Sequence, residues 1–166
     1  MPTRLQFRTL AEVGEETFTH AVQRVTEGKL DRLDRARVEQ SGPAEAARQY
    51  VQLLKGVEFL PARWVLGYLA DGRLCGLVVP QKLDDKEGTI DCIGVVPEMR
   101  GSGYGLNLLL KGTALLQQGG FRTVVAETDA DNRPFHAELE RAGYRHHGTL
   151  RCFRCDLARG RPAGPE

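Results

Sequence analysis

The chain has 166 residues, with 23 basic and 22 acidic side chains and 41% hydrophobic residues. That length suits one domain able to bury a core without disulfide or metal staples, and a formal charge of +1 excludes the strongly basic footprint of a dedicated nucleic-acid binder. Glycine is the outlier: 19 of 166 residues is about 11%, against roughly 7% in an average protein, so the excess asks for a local explanation.

The N-terminal residues 1–7 lack the apolar centre of a signal peptide, and no apolar run approaches the roughly 18 residues of a membrane span. The expectation is a cytoplasmic protein with no membrane partner. Residues 5–8 read as a short first strand. Thr9-x-x-Glu12 is a capping box, after which Phe18, Ala21, Val22 and Val25 follow helical spacing to Gly28. Residues 30–38 form a charged helical stretch. Pro43 opens another helix where its missing N–H costs little, with Ala47, Tyr50, Val51 and Leu54 on the apolar face and Gly56 where a helix stops. Gly14, Gly28, Gly42 and Gly56 are evenly spaced, but their neighbourhoods share nothing, so no repeat is inferred.

After Pro61 the pattern turns extended. Residues 64–69 and 74–79 flank Asp71-Gly72, a short-loop hairpin signal. Residues 81–88 read as a charged loop and 89–96 as a third extended run. Helical spacing returns over 103–118, through Leu106, Leu109, Leu110 and Thr113, and ends at Gly119-Gly120. A strand at 121–127, a short helix at 132–142 and an extended region at 144–156 complete a mixed α/β domain over 1–157, with a Gly/Pro/Arg-rich tail at 158–166. The four cysteines, Cys75, Cys92, Cys152 and Cys155, sit in strand-like contexts. The single Cys152-x-x-Cys155 pair lacks the partners of a zinc site, so no metal is expected and reduced thiols are.

Four glycines crowd one segment, Gly94, Gly101, Gly103 and Gly105, where a strand gives way near Pro97 to a helix starting near Ser102. Gly101, Gly103 and Gly105 remove the Cβ atoms that would keep another group off the backbone. The first N–H groups of a helix lack internal partners and point outward with the positive end of its dipole. Such a turn suits a phosphate or pyrophosphate, and Arg100 stands ready to add a charged hydrogen bond. The Walker loop is excluded because Gly105-Leu106-Asn107 supplies neither Lys nor hydroxyl. The dinucleotide fingerprint is excluded by its G-x-G-x-x-G spacing and by an upstream half not built from βαβ units.

The segment Val95-x-Pro97-x-x-Arg100-Gly101-x-Gly103-x-Gly105 resembles the acyl-CoA-binding motif of the GCN5-related N-acetyltransferases. Downstream, Glu127-Thr128-Asp129-Ala130-Asp131-Asn132, then Phe135, then Ala142-Gly143-Tyr144, is similar to the family's fifth strand, its Asn and the helix that ends in Gly-aromatic. The clear resemblance covers about residues 60–156. It implies an α/β fold with a central twisted, mostly antiparallel sheet splayed between its fourth and fifth strands and helices on both faces. It also implies acetyl-CoA or another acyl-CoA as co-substrate. Its pantetheine arm would lie in the splay against backbone at Ile93, Val95 and Val96, with its pyrophosphate on the N–H groups of Gly101, Ser102, Gly103, Tyr104 and Gly105 beside Arg100. Gly94 matches the position of a strand bulge, Asn132 caps the next helix and faces the pantetheine, and Phe135 follows on that helix.

Transfer to an amine needs a base, a polarised thioester carbonyl and a proton for the departing thiolate. The family's common Glu position is Thr89 here, which leaves Asp91 on the fourth strand and Glu127 on the fifth as candidate catalytic carboxylates. The usual Tyr near the sulfur is Leu139, and His136 or the His146-His147 pair are the titratable groups nearby in sequence. The resemblance implies an N-acetyltransferase acting on a primary amine of a small molecule by direct transfer in a ternary complex. Alternatives are a non-catalytic acyl-CoA-binding module, a peptide N-acetyltransferase and, more remotely, a nucleotide-binding enzyme using the same loop. Many family members are homodimers, though no segment marks an interface. Residues 10–60 would shape the acceptor side, and their mixed charge names no substrate.

Overall fold

Thr9 closes one element and opens the next. The computed structural model, which describes residues 5–29 and 32–151, shows strand β1 (Gln6–Thr9) running directly into the one-turn helix α1 (Leu10–Val13). The capping box is complete: Thr9 Oγ1 accepts the Glu12 N–H at 3.3 Å, and Glu12 Oε2 accepts the Thr9 N–H at 2.6 Å. Gly14, at φ +82°, turns the chain into helix α2 (Glu15–Thr26), whose stripe of Phe18, Ala21, Val22 and Val25 is fully buried. Helix α3 (Arg32–Ser41) follows, then α4 (Pro43–Val57) with Pro43 in its first turn. The last turn of α4 carries through Gly56 to Val57, one residue past the expected stop.

Strands β2 (Val65–Tyr68) and β3 (Leu74–Lys82) form the expected hairpin. Gly72 takes φ +84°, and Asp71 holds Arg73 through both its backbone N–H and its guanidinium. Strand β4 (Glu87–Val95) begins earlier and β3 ends later than the charged composition predicts, so half of residues 81–88 is ladder and only 83–86 turn. Gln81 explains the difference. Its side chain is fully buried and donates from Nε2 to the Leu54 carbonyl of α4 at 3.0 Å, a use of a polar residue that alternation alone does not disclose. Asp84 then accepts the N–H groups of Lys86 and Glu87 at 2.7 and 2.8 Å and tightens the turn.

A short 3₁₀ turn (Pro97–Met99), helix α5 (Tyr104–Gln118), strand β5 (Thr123–Ala126) and helix α6 (Arg133–Arg141) complete the described order. The five strands lie in sequence order, antiparallel except for the parallel β4–β5 pair. Alternation along β2 to β4 divides the core. Leu66, Leu77, Val79 and Cys92 pack with α2 and α4 on one face, and Val65, Val78 and Ile90 pack with Leu108, Leu109 and Leu116 of α5 on the other. Helices therefore cover both faces of a mixed sheet.

Residues 144–151 carry neither helix nor strand, so the expected extended run joins no ladder over its described part. Tyr144 is instead held by a 2.6 Å hydroxyl contact with Thr113 of α5. The remainder of that run, Cys152, Cys155 and the 158–166 tail lie outside the described residues. Cys75 and Cys92 are free and buried.

Candidate functional site

Strands β4 and β5 pair only at one end. The parallel register runs from Glu87 opposite Thr123 to Ile90 opposite Ala126 and stops, while β4 continues to Val95. The reason lies across β3. Val79 faces Cys92, the next residue Pro80 faces Ile90, and Asp91 between them is the extra residue of a bulge. Proline has no N–H to give the ladder, so the irregularity falls where one bond is already missing. The expected bulge at Gly94 is corrected: Gly94 stays in register opposite Leu77. Its missing Cβ serves the packing of α2, since a Cβ there would meet Val25 at 2.8 Å.

Beyond the bulge one edge of β4 has no strand beside it. Val96 donates its N–H to Cys75 of the β3 side at 2.9 Å, so antiparallel alternation turns the N–H groups of Ile93 and Val95 the other way, into the gap. Val95 agrees, because its carbonyl accepts Arg100 Nε at 3.1 Å rather than a β3 donor. Val96 offers nothing to the gap: its N–H is taken by Cys75, its carbonyl accepts the Met99 N–H at 3.0 Å, and its side chain is buried. The N–H groups of Ile93 and Val95 thus face the gap, and that of Val96 is turned inward.

The glycine segment uses its glycines in two ways. Gly101 (φ +75°) and Gly103 (φ +81°) adopt the left-handed conformation on either side of Ser102, a concave arrangement of successive N–H groups suited to an anion. A Cβ at Gly101 would meet nothing within 4 Å, so the loop is open there. Gly103 is the N-cap of α5 and provides no side-chain cap, which leaves the first N–H groups of the helix, at Tyr104 and Gly105, facing outward. The Tyr104 side chain is buried among apolar residues, so only its backbone serves the loop, and Ser102 is exposed. Gly105 is helical, and the group that approaches it is the protein's own Glu138 of α6, whose carboxylate would overlap a Cβ there. Burial holds the Glu138 carboxyl above the usual glutamate range.

The Arg100 guanidinium does not project toward the loop as a free cation. It donates to the carbonyls of Val25, Glu27 and Gly28 at the end of α2 as well as to Val95. Those carbonyls have no partners inside α2, and the arginine fork fits them. The phosphate contact expected of this side chain is therefore replaced by an anchor between loop and helix. Arg24, paired with Glu98 at 2.8 Å, adds a second tie between the same helix and the 97–99 turn.

At the closed end of the gap stand the two candidate carboxylates. Asp91 is the bulge residue and Glu127 follows the last residue of β5. Partial desolvation, and then the nearby Glu127 charge, hold the Asp91 carboxyl above the usual aspartate range, with Arg37 acting in the opposite direction. Both retain contact with solvent. Thr89 is paired with Val125 inside the closed part of the β4–β5 ladder.

Asn132 occupies the N-cap position of α6 without capping it; its amide donates to Thr128 Oγ1 at 2.9 Å, which folds the 128–132 loop on itself. Phe135 and Leu139 are half-buried in the apolar cluster beside α5. His136 lies 3.1 Å from the Asp129 carbonyl through Nε2, so that nitrogen carries the proton. His146 and His147 are both exposed, and His146 Nε2 lies 3.3 Å from Thr149 Oγ1. Asp34, Arg37 and Tyr50 escaped the sequence reading. The one available signal is the mixed charge of Lys29, Arg32, Arg35 and Arg37 against Asp31, Asp34 and Glu39, a pattern that a solvated helix also produces. Among the described residues no helix is long and apolar enough to cross a membrane, and no cluster of three or more His, Cys, Asp or Glu could hold a metal ion.

This geometry has known counterparts. Residues 30–144 match the acetyltransferase (GNAT) family. A mycothiol acetyltransferase of Pseudarthrobacter chlorophenolicus is 37% identical over 91 residues, a stretch covering 52% of this chain and 28% of that protein. One from Clavibacter sepedonicus is 37% identical over 87 residues, with the same coverage. The matched stretch thus spans under a third of these relatives' length. Among solved structures, the aminoglycoside N-acetyltransferase AAC(6')-Iy in complex with CoA superposes with a TM-score of 0.62 at 13% identity, covering 93% of this chain and 97% of that one. PH1933 from Pyrococcus horikoshii superposes with a TM-score of 0.68 at 16% identity, covering 88% and 92%. These structural likenesses concern the fold.

Proposed function

The chain belongs to the acetyltransferase (GNAT) family, and from that premise we propose that it transfers an acyl group from acetyl-CoA to a primary amine of a small molecule, directly and within a ternary complex. One observation carries the reading: a bulge at Asp91 ends the β4–β5 pairing and leaves a strand edge open between a carboxylate and an anion-binding turn. An amide-bearing arm lies along such an edge as an added strand would, with Ile93 and Val95 as its backbone partners. Gly101, Ser102, Gly103 and Tyr104 present the N–H groups that suit a pyrophosphate.

The thioester supplies an activated acyl group. Asp91, as a carboxylate, takes a proton from the acceptor's ammonium group, and Glu127 beside it adds the negative charge that attracts the cation. The freed nitrogen would bond to the acyl carbon as the carbon–sulfur bond breaks, with the sulfur taking the electron pair and the proton that the nitrogen sheds on becoming an amide. Phosphate binding falls to loop backbone, because the Arg100 side chain is engaged with carbonyls. The mycothiol acetyltransferase relatives favour a small aminated acceptor over a protein.

The test is native mass spectrometry of the purified protein for co-purified CoA or acyl-CoA, followed by thiol release from acetyl-CoA over a panel of small amines and peptides. Binding with release by a small amine supports the reading, and absence of any CoA binding ends it. Leu139 favours a second reading. Half-buried among apolar side chains where the family carries a hydroxyl, it provides no proton for a departing thiolate. A protein that binds acyl-CoA without turnover across the whole panel fits that alternative.

A further inference from the structure

The buried residue of α3 is a carboxylate. Asp34 is 7% exposed and is gripped by Lys29 Nζ at 2.8 Å and by Arg37 Nη1 at 3.1 Å. A carboxylate taken out of water demands such partners, so α3 docks through charge rather than through an apolar stripe. The Arg37 guanidinium also lies over the Tyr50 ring of α4, 4.7 Å from its centre. Tyr50 in turn donates a long hydrogen bond, 3.4 Å, to the main-chain carbonyl of Asp91 at the bulge. At its other end α3 gives the Arg32 N–H to Asp129 Oδ2 at 2.7 Å, in the loop after β5. The helix is therefore linked to the bulge through Tyr50 of α4 and to the β5–α6 loop directly.

Resting on the reading of Asp91 as the acceptor's base, we propose that Arg37, clamped by Asp34 and stacked on Tyr50, is a positioning residue for Asp91, on the acceptor side that residues 10–60 are expected to shape. The titratable groups near enough to act electrostatically with Asp91 are Glu127 after β5, Arg37 of α3, Tyr50 of α4 and Cys92 next to it on β4. Burial pushes the Cys92 thiol up to about 11, and the Cys92 neighbour together with burial pushes the Tyr50 phenol well above its ordinary range. Both stay neutral where a carboxylate titrates, so Arg37 and Glu127 are the charges that act on Asp91. Arg37 favours the ionised form, and removing it moves the Asp91 titration to higher pH.

The direct measurement is an NMR titration of the Asp91 side-chain carboxyl in the wild type and in Arg37→Met, with Arg37→Gln beside it so that a folding defect in one variant does not decide. Both should raise the Asp91 midpoint by about one pH unit, and Arg37→Lys should return most of it. An unmoved midpoint in folded neutral variants overturns the proposal. The acidic limb of kcat/KM, measured with the best amine found, should shift by the same amount while activity recovers at high pH. A merely structural defect would lower the rate equally at every pH. Asp91→Asn separates the two layers: if it leaves turnover and its pH profile intact, Asp91 is not the base and that reading falls, whereas the NMR midpoint still judges Arg37. Asp34→Asn should raise KM for the amine several-fold and leave KM for acetyl-CoA unchanged, and a parallel rise in both would remove α3 from the acceptor side.

Discussion

Helices α5 and α3 flank the same gap and are held in opposite ways. Tyr104, Leu108, Leu109 and Leu116 of α5 are buried against the sheet, so the loop at its N-terminus is carried on a hydrophobic foundation. Asp34 of α3 is buried with cationic partners, and the helix is tied to the bulge and to the β5–α6 loop by polar contacts. Apolar burial is not weakened by ionic screening, while ion pairs weaken with ionic strength, the exposed ones most, and release a segment locally. The contrast assigns a rigid wall to the side that would bind a cofactor and an adjustable one to the side that would meet the acceptor.

Leu108→Ala tests the rigid half most severely. A fully buried leucine removed from that foundation should lower global stability by about 2–5 kcal/mol, read as a shift of the whole denaturant transition; a loss confined to α5 would contradict the foundation described. Gly103→Val addresses the loop with the fold left intact. At φ +81° a β-branched residue is strained, and CoA affinity by calorimetry should fall about a hundredfold, near 2.7 kcal/mol, while the strain lowers stability by about 1–3 kcal/mol. Asp34→Asn tests the adjustable half. Amide exchange across residues 32–41 should accelerate while that of α5 stays as it was, and added salt should do the same to the wild type. Exchange rising equally in both helices would erase the contrast.

The smallest effect expected is a gain. The Asp91 carboxyl titrates above its ordinary range when folded, so the folded state holds that proton more tightly than the unfolded chain does. Stability then falls as pH rises from the ordinary aspartate value through the raised folded one, and stays lower above it. Asp91→Asn lacks this penalty and should melt slightly above the wild type at neutral pH, with the difference vanishing in acid. A lower melting temperature at neutral pH would show that the carboxylate is structural.

What the sequence disclosed and what it hid divide along physical lines. Local signals read well: the Thr9–Glu12 box, the α2 stripe, the Asp71-Gly72 turn and the glycines before α5 each act within a few residues. The bulge was misplaced at Gly94 because its determinant sits in another strand, at Pro80, and only the register shows that Asp91 is the unpaired residue. Arg100 was assigned to phosphate because its partners, 72–75 positions earlier in the chain apart from Val95, cannot be read from spacing. Gly105 was grouped with its neighbours because nothing nearby in the chain announces Glu138. The Asp34 cluster reads as a solvated face because charge patterning is the same whether or not a helix docks by it.

The Arg100 anchor changes how one common experiment must be interpreted. An arginine beside a glycine-rich turn invites removal as a ligand contact, and weakened binding would be credited to a lost charge on phosphate. Here the guanidinium stitches the turn to the end of a helix some seventy positions earlier in the chain. An Arg100→Ala variant would report the disorder of an untethered turn, and lysine, with a single point of contact, would not restore it. Distant in sequence from the glycines, the end of α2 is part of what holds their turn in shape.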